Sequence, residues 1–185
     1  MRREDIKLCG FGGQGIVLSG YILGKAASIF DKKEAVLTQS YGPEARGGAC
    51  SADVVISETT IDYPYLKNIK VLVVMSQEAY FTYTKHLGKG RILLIDEDLV
   101  EIDKAQVKKN KWQVYKIPAT RFAEELGKKI VANIVMLGFF TAVTDVVSYE
   151  AMKNAILSSV PRGTEKLNES AYEKGYVHGK QAVKG

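Results

Sequence analysis

Short apolar stretches recur along the chain, separated by glycine-rich, polar or amphipathic segments. The first stretch contains Ile6, Leu8 and Cys9, ends at Gly10, and predicts a strand. Stretches of similar length predict further strands over 35–39, 71–75, 91–96 and 112–117. The runs at 71–75 and 91–96 are apolar almost throughout, which is typical of strands buried on both faces of a sheet. We expect the strand over 112–117 to lie near an edge.

The segment that begins at Cys50 alternates strictly between two sets of residues. Ala52, Val54 and Ile56 face one way, and the residues between them face the other, which predicts a strand. This strand follows a loop over 40–49 that is too short for a crossover helix. We therefore expect it to pair antiparallel, so that the sheet is mixed.

Helical periodicity dominates the C-terminal third. It predicts an amphipathic helix over 119–126, an apolar helix over 130–147 and, after Ser148 as N-cap, a helix over 149–159. A final amphipathic helix over 164–181 is expected to be interrupted at Gly175 and Gly179. One earlier helix, over 77–86, follows Ser76 as its N-cap.

Alternating strands and helices predict an α/β fold. We expect a single domain over residues 1–185, Rossmann-like and three-layered. Its sheet is predicted to be mixed and mostly parallel, and its C-terminal third helical.

A glycine-rich turn joins the first strand to the first helix. Gly10, Gly12 and Gly15 fit the pattern G-x-G-x-x-G, and Gly13 adds a fourth glycine. Such a turn brings backbone N–H groups close to a phosphate at a helix N-terminus. The alternative is a tight strand-to-helix turn that binds nothing. A dinucleotide fold also needs an acidic residue at the tip of the second strand, and none stands there, which argues against NAD.

The helix after this turn carries small residues at Gly20, Gly24 and Ala27, spaced i, i+4 and i+7. This spacing predicts a bare face that lies close against the sheet. Its other faces carry bulky residues, which predict a well-buried helix: Ile16, Leu18, Ile22 and Leu23.

Composition narrows the class of protein only slightly. The 185 residues include 26 Lys and Arg against 21 Asp and Glu, for a formal net charge of +5. The lysines form small pairs rather than one stripe, so the charge does not require nucleic acid. No apolar run reaches the length of a membrane span, and the N-terminus has no signal-peptide core. Two cysteines, Cys9 and Cys50, form no metal or cluster motif and are interpreted as small buried hydrophobes, which favours a cytoplasmic protein.

Two loops and the strand that follows them resemble a known family. Gly10 to Gly15 reads GFGGQG, Ser40 to Gly48 reads SYGPEARGG, and Ala52 to Ser57 reads ADVVIS. Together they resemble the gamma subunit of 2-oxoacid:ferredoxin oxidoreductases. The pieces at 133–138, 160–161 and 167–175 agree with the family's order, so the resemblance covers nearly the whole chain. The second loop looks most like the 2-oxoglutarate type, with the pyruvate and branched-chain (2-oxoisovalerate) types as close relatives.

The resemblance implies a role in a larger enzyme. In this family, thiamine diphosphate with Mg²⁺ and [4Fe–4S] clusters belong to the partner subunits, ferredoxin takes the electrons, and coenzyme A accepts the acyl group. The gamma subunit is associated with coenzyme A access. We therefore expect alpha and beta partners, with a delta subunit left open, no membrane or nucleic-acid partner, and no activity of this chain alone. A homo-oligomer of the isolated chain also stays open.

Under this interpretation the anionic end of coenzyme A is held by the glycine turn, by the second loop or by both together. The candidate contacts in the turn are Gly10, Gly12, Gly13, Gln14 and Gly15. Gln14 either donates its amide to the ligand or caps the turn.

In the second loop the candidates are Tyr41, Arg46, Gly47 and Gly48. Arg46 offers a planar guanidinium for phosphate or carboxylate, or it pairs with Glu44, which is interpreted as structural. Gly47 and Gly48 permit close backbone approach, and Tyr41 either stacks on adenine or covers the core. We expect no catalytic residue and no metal ligand in this chain.

Three residues outside these loops complete the set of candidates. Asn133 lies in an apolar helix, where it is either hydrogen-bonded in the interior or a ligand contact. His86 and His178 stand apart and are interpreted as ordinary surface residues.

Two other hypotheses compete with the gamma-subunit assignment. A stand-alone nucleotide- or dinucleotide-binding protein would use the same GxGGQG loop, and added NAD, NADP or FAD would raise its melting temperature. A basic nucleic-acid-binding module would instead show salt-dependent binding to single or double strands.

Overall fold

In a computed structural model, which describes residues 3–41 and 49–184 and Tyr41 only through its backbone, six strands form one sheet with helices on both faces. The strands are β1 (Arg3–Phe11), β2 (Glu34–Tyr41), β3 (Ala49–Ser57), β4 (Val71–Val74), β5 (Ile92–Asp96) and β6 (Gln113–Ile117). The helices are α1 (Ile16–Lys25), α2 (Gln77–Tyr83), α3 (Lys104–Asn110), α4 (Ala119–Glu125), α5 (Ala132–Thr144), α6 (Tyr149–Leu157) and α7 (Glu165–Lys184).

The strand order across the sheet is β2-β3-β1-β4-β5-β6. β3 pairs antiparallel with both neighbours, whereas β1, β4, β5 and β6 pair parallel. The prediction of a mixed, mostly parallel sheet is confirmed, and so is the antiparallel direction of the strand after the second loop. The strand predicted near an edge, β6, forms one end of the sheet.

Two apolar cores lie on opposite faces of the sheet. The larger core joins the inward side chains of β1 and β3 to α1, α4, α5, α6 and α7. The smaller core packs Tyr80 of α2 and Trp112 against β4 and β5, with Val107 of α3 at its margin. The three-layer prediction is therefore confirmed.

The first helix fits its predicted packing only in part. Gly20 presses against the sheet: a Cβ there would lie 2.7 Å from Ala52 Cβ and 2.9 Å from Leu37 Cδ1. A Cβ on Gly24 would meet nothing within 4 Å, and Leu18 is 38 % exposed. The predictions that Gly24 contacts the sheet and that Leu18 is buried are wrong. The helix continues as a π-helical turn over Ala26–Phe30.

The C-terminal helices differ from their predicted bounds. α5 is shorter than 130–147, and a 3₁₀ turn over Lys129–Val131 precedes it. α7 runs without interruption through Gly175 and Gly179, contrary to the prediction of a break. Both glycines let α7 approach α5 closely, since a Cβ on Gly175 would overlap the carbonyl oxygen of Val135. None of the helices in the described ranges combines the length and apolar character needed to cross a membrane.

Candidate functional site

The glycine turn lies at the carboxyl end of β1, over residues 12–15. From β1 the chain passes through α1 to β2, which lies toward one edge of the sheet. β4 pairs with β1 on the side toward the opposite edge. The turn therefore lies where the order of strands changes direction. In α/β sheets ligands bind at such switch points, outside the carboxyl ends of the strands.

Three of the four glycines in this region have a structural reason to be glycine. Gly13 and Gly15 have φ angles of +97° and +74°, in the left-handed region that side chains rarely adopt. A Cβ on Gly10 would overlap Gln14 Oε1 and lie 2.9 Å from Ile16 Cδ1. Gly12 is different: it is exposed, its φ is not left-handed, and a Cβ there would meet nothing within 4 Å. The fold itself does not require glycine at position 12.

Gln14 ties the turn to two strands. Its Oε1 accepts the Phe11 N–H at 2.6 Å, and its Nε2 donates to the Met75 carbonyl just beyond β4 at 2.8 Å. The Gln14 N–H also donates to Phe11 O at 3.2 Å, closing the turn. Of the two roles considered for Gln14, the structure favours the cap, because both ends of its amide are engaged within the chain.

Asn133, in the first turn of α5, packs directly on Gly15. Its Nδ2 donates to Gly15 O at 3.3 Å, and a Cβ on Gly15 would lie 2.9 Å from Asn133 Cγ. Asn133 is only 3 % exposed. The sequence signal for this contact is an amide in an otherwise apolar helix. The partner, 118 positions away in the chain, has no sequence signal.

The N-terminus of α1 has two features that favour an anion. Gly15 serves as the N-cap residue without a side-chain cap, and the first turn contains no acidic residue. Gly12 and Gly13 beside it are exposed. Uncapped N–H groups and the positive end of the helix dipole attract phosphate or carboxylate.

The second predicted loop lies largely outside the described residues. Glu44, Arg46, Gly47 and Gly48 fall in the undescribed range, and the side chain of Tyr41 is not described. The flanking strand is described: Ala49 pairs with Phe11, and Cys50 with Gly10. β3 therefore begins directly beside the glycine turn.

The cysteines are unsuited to nucleophilic chemistry in this fold. Both are buried, and burial raises the pKa of the Cys9 thiol and of the Cys50 thiol above the ordinary value. A thiol with a raised pKa stays protonated near neutral pH. Their interpretation as small buried hydrophobes is confirmed.

The two histidines have different environments. His86 is exposed, as predicted. His178 is half-buried between Phe122 and Phe139, with its Nε2 3.3 Å from Lys116 O, so its prediction as an ordinary surface residue is wrong.

Comparisons with known proteins give a family and several relatives of this chain. The family model for pyruvate ferredoxin/flavodoxin oxidoreductase matches residues 5–177. The chain is 53 % identical over 180 residues to the 2-oxoglutarate synthase subunit KorC of Methanocaldococcus jannaschii, covering 97 % of this chain and 95 % of the relative.

Two solved structures share the fold. The gamma subunit of a keto/oxoacid ferredoxin oxidoreductase from Geobacter sulfurreducens has a TM-score of 0.88 and 39 % identity, covering 98 % of this chain and 99 % of that one. A 2-oxoglutarate:ferredoxin oxidoreductase from Magnetococcus marinus, with 2-oxoglutarate, coenzyme A and succinyl-CoA bound, has a TM-score of 0.86 at 21 % identity. It covers all of this chain, which matches 32 % of the longer one, and at this identity it speaks for the fold alone.

Proposed function

Because this chain belongs to the pyruvate ferredoxin/flavodoxin oxidoreductase family, we propose that it is the gamma subunit of a thiamine diphosphate-dependent 2-oxoacid:ferredoxin oxidoreductase. The family resemblance read from the two loops is confirmed by the same findings. The relative named 2-oxoglutarate synthase supports 2-oxoglutarate as the oxoacid. The reaction is then oxidative decarboxylation to an acyl-CoA, with reduction of ferredoxin.

The proposal assigns the redox chemistry to partner subunits. Thiamine diphosphate, Mg²⁺ and the [4Fe–4S] clusters would be held by alpha and beta subunits, with or without a delta subunit, and this chain alone would be inactive. The Geobacter match supports a role within a larger assembly, because that protein is named as one subunit of such an enzyme. We further propose a cytoplasmic location and a single domain over 1–185.

The glycine turn is proposed to bind the anionic end of coenzyme A. One observation carries this assignment: Gly12 lies exposed beside the uncapped N-terminus of α1, and neither its φ nor its surroundings require glycine. Close approach of a ligand to the backbone explains glycine at this position. Gly13 and Gly15 hold the turn in its shape, and Gln14 fixes it to β1 and β4.

The second loop is proposed as the other wall of this site. Tyr41, Arg46, Gly47 and Gly48 belong to it, and the pairing of Ala49 with Phe11 supports a position beside the glycine turn. The contribution of these residues is binding and orientation. Holding coenzyme A in one pose makes the approach of its thiol effectively intramolecular, which lowers the entropic part of the barrier.

The test is Gly12→Val in the complex reconstituted with its partner subunits. We expect the apparent KM for coenzyme A to rise about tenfold, equivalent to about 1.4 kcal/mol of lost binding. The KM for 2-oxoglutarate should change less than about twofold, as for an effect on one substrate only. The melting temperature should stay unchanged, because the new side chain enters open space.

Gly24→Ala provides the control, since a Cβ on Gly24 would likewise meet nothing within 4 Å, but Gly24 lies on the helix away from the turn. It should leave both KM values unchanged. An unchanged KM for coenzyme A in Gly12→Val would contradict the assignment of the turn to this ligand.

A further inference from the structure

Asn133 has more hydrogen-bonding capacity than the fold uses. A side-chain amide offers two N–H donors and an oxygen with two lone pairs. Within the described part of the chain, the Asn133 side chain makes one hydrogen bond, at 3.3 Å to Gly15 O. This distance lies beyond the usual range for N–H···O bonds, so the bond is weak. A buried amide in an apolar helix is normally well paired.

The backbone of Gly15 does not need this bond. Gly15 O already accepts the Ser19 N–H at 2.9 Å and the Ser19 hydroxyl at 3.0 Å. These two donors satisfy both lone pairs of the carbonyl. Satisfaction of the local backbone therefore does not explain an asparagine at position 133.

The carbonyl oxygen of Asn133 is also not sealed inside the protein. Arg91 Nε is the one enclosed side-chain nitrogen or oxygen without a partner among the described residues. Among the described residues Oδ1 of Asn133 has no hydrogen-bond partner, yet it does not belong to these enclosed atoms, so it is not completely covered by the chain. The Asn133 Cγ that carries Oδ1 would lie 2.9 Å from a Cβ built on Gly15, the N-cap residue of α1.

We propose that Asn133 belongs to the ligand site, with Nδ2 against Gly15 and Oδ1 accepting a hydrogen bond from the bound molecule. This inference rests on the proposed function of the glycine turn and extends it. The ligand would be an organic phosphate that carries an O–H or N–H donor near its phosphate, rather than a bare anion. Coenzyme A belongs to this class, since its ribose and pantetheine parts carry such donors.

The first experiment compares Asn133→Asp with Asn168→Asp in the reconstituted complex. Asn168 is a matched control: it is 5 % exposed, lies in α7, and its Nδ2 donates only to Thr164. Both changes keep the side-chain shape, but only the first adds negative charge beside the anion site. We expect the KM for coenzyme A to rise more than about tenfold in Asn133→Asp and to stay unchanged in Asn168→Asp.

Binding is followed independently through the rise in melting temperature that coenzyme A produces. This rise should be lost in Asn133→Asp and kept in Asn168→Asp. Equal affinity for coenzyme A in the two variants would overturn the proposal.

A second experiment tests the Oδ1 contact with Asn133→Ala and two probes, coenzyme A and sulfate, which has no donor at neutral pH. The affinity for coenzyme A should fall about tenfold, and the competitive inhibition constant of sulfate should change less than about threefold. Equal losses for the two probes would overturn the Oδ1 contact.

The Gly12→Val result distinguishes failure of the Asn133 proposal from failure of the assignment of the turn to coenzyme A. If Gly12→Val weakens coenzyme A binding and the Asn133 variants do not, the Asn133 proposal fails alone. If neither does, the assignment of the turn itself fails.

Discussion

Glycines serve different physical purposes in the turn after β1 and in the contact between α5 and α7. In the turn, Gly13 and Gly15 adopt φ angles that other residues avoid, and Gly12 lies open to solvent. In the helix pair, Gly138 and Gly175 are ordinary helical residues whose missing side chains let two backbones touch. A Cβ on Gly175 would lie 2.8 Å from Val135 C and 3.0 Å from Phe139 N.

These two groups of glycines show how a glycine needed for packing differs from one available for function. The fold requires a glycine that packs against another backbone, because any side chain there would force the helices apart. A glycine beside open space with an ordinary φ, such as Gly12 or Gly24, has no such explanation in the fold. What distinguishes Gly12 is its position in the turn at the N-terminus of α1, where a ligand would explain the glycine.

Gly175→Ala is expected to have the largest effect on stability. Its methyl group would overlap the carbonyl oxygen of Val135, and backbone cannot move aside as a flexible side chain can. Overpacking of this kind costs about 3 kcal/mol, which lowers the melting temperature of a domain of this size by about 6–12 °C. Thermal unfolding measures it. A decrease below about 2 °C would contradict the close helix contact.

Gly15→Ala should have an intermediate effect on stability and also weaken ligand binding. The left-handed φ costs about 1–2 kcal/mol for alanine, and the new Cβ would press on the Asn133 amide. We expect a loss of about 2–3 kcal/mol in the free energy of unfolding and a higher KM for coenzyme A.

Gly127→Ala measures the cost of a left-handed φ for alanine without a steric contact. Gly127 has a φ of +85°, and a Cβ there would meet nothing within 4 Å. Urea unfolding of both variants should show the larger loss for Gly15→Ala. If the two losses are equal, Asn133 does not restrain the turn.

Local sequence patterns predicted most of the sheet. The apolar run at 71–75 and the alternation after Cys50 each gave a strand in its observed place. The loop before β3 was too short for a crossover, and this fixed the antiparallel direction. These features depend on neighbouring residues in the chain, so the sequence contains their signals.

Features that depend on distant residues were predicted less well. The spacing of Gly20 and Gly24 gives their angle around α1, but not which part of the helix the sheet covers. Gly24 lies about 6 Å further along the axis, where a Cβ would meet nothing within 4 Å. Gly175 suggested a helix break because the sequence of α7 alone gives no sign that this residue packs against Val135.

The missed helix α3 has a different cause. None of its residues is buried, so no apolar periodicity marks it. The signal that would have revealed it is its N-cap, Asp103, whose side chain accepts from Ala105 N and Gln106 N.

At the candidate site, the sequence predicted the turn and offered Gln14 as its possible cap, but it did not predict the distant partners of Gln14 and Asn133. The G-x-G-x-x-G spacing located the open helix N-terminus. The bond from Gln14 to Met75 and the contact of Asn133 with Gly15 join residues 61 and 118 positions apart. Contacts between residues so far apart in the chain become evident only in the folded structure.

Gly24→Ala should produce the smallest effect, and one of opposite sign. Gly24 lies in a helix that continues into the π-helical turn, and a Cβ there would meet nothing within 4 Å. Alanine there reduces the backbone entropy lost on folding and should stabilise the protein by about 0.5–1 kcal/mol, raising the melting temperature by about 1–4 °C. The same chemical change at Gly175 is expected to destabilise, so the pair measures how far a neighbouring backbone decides the effect. A destabilised Gly24→Ala variant would contradict the open space found beside this residue.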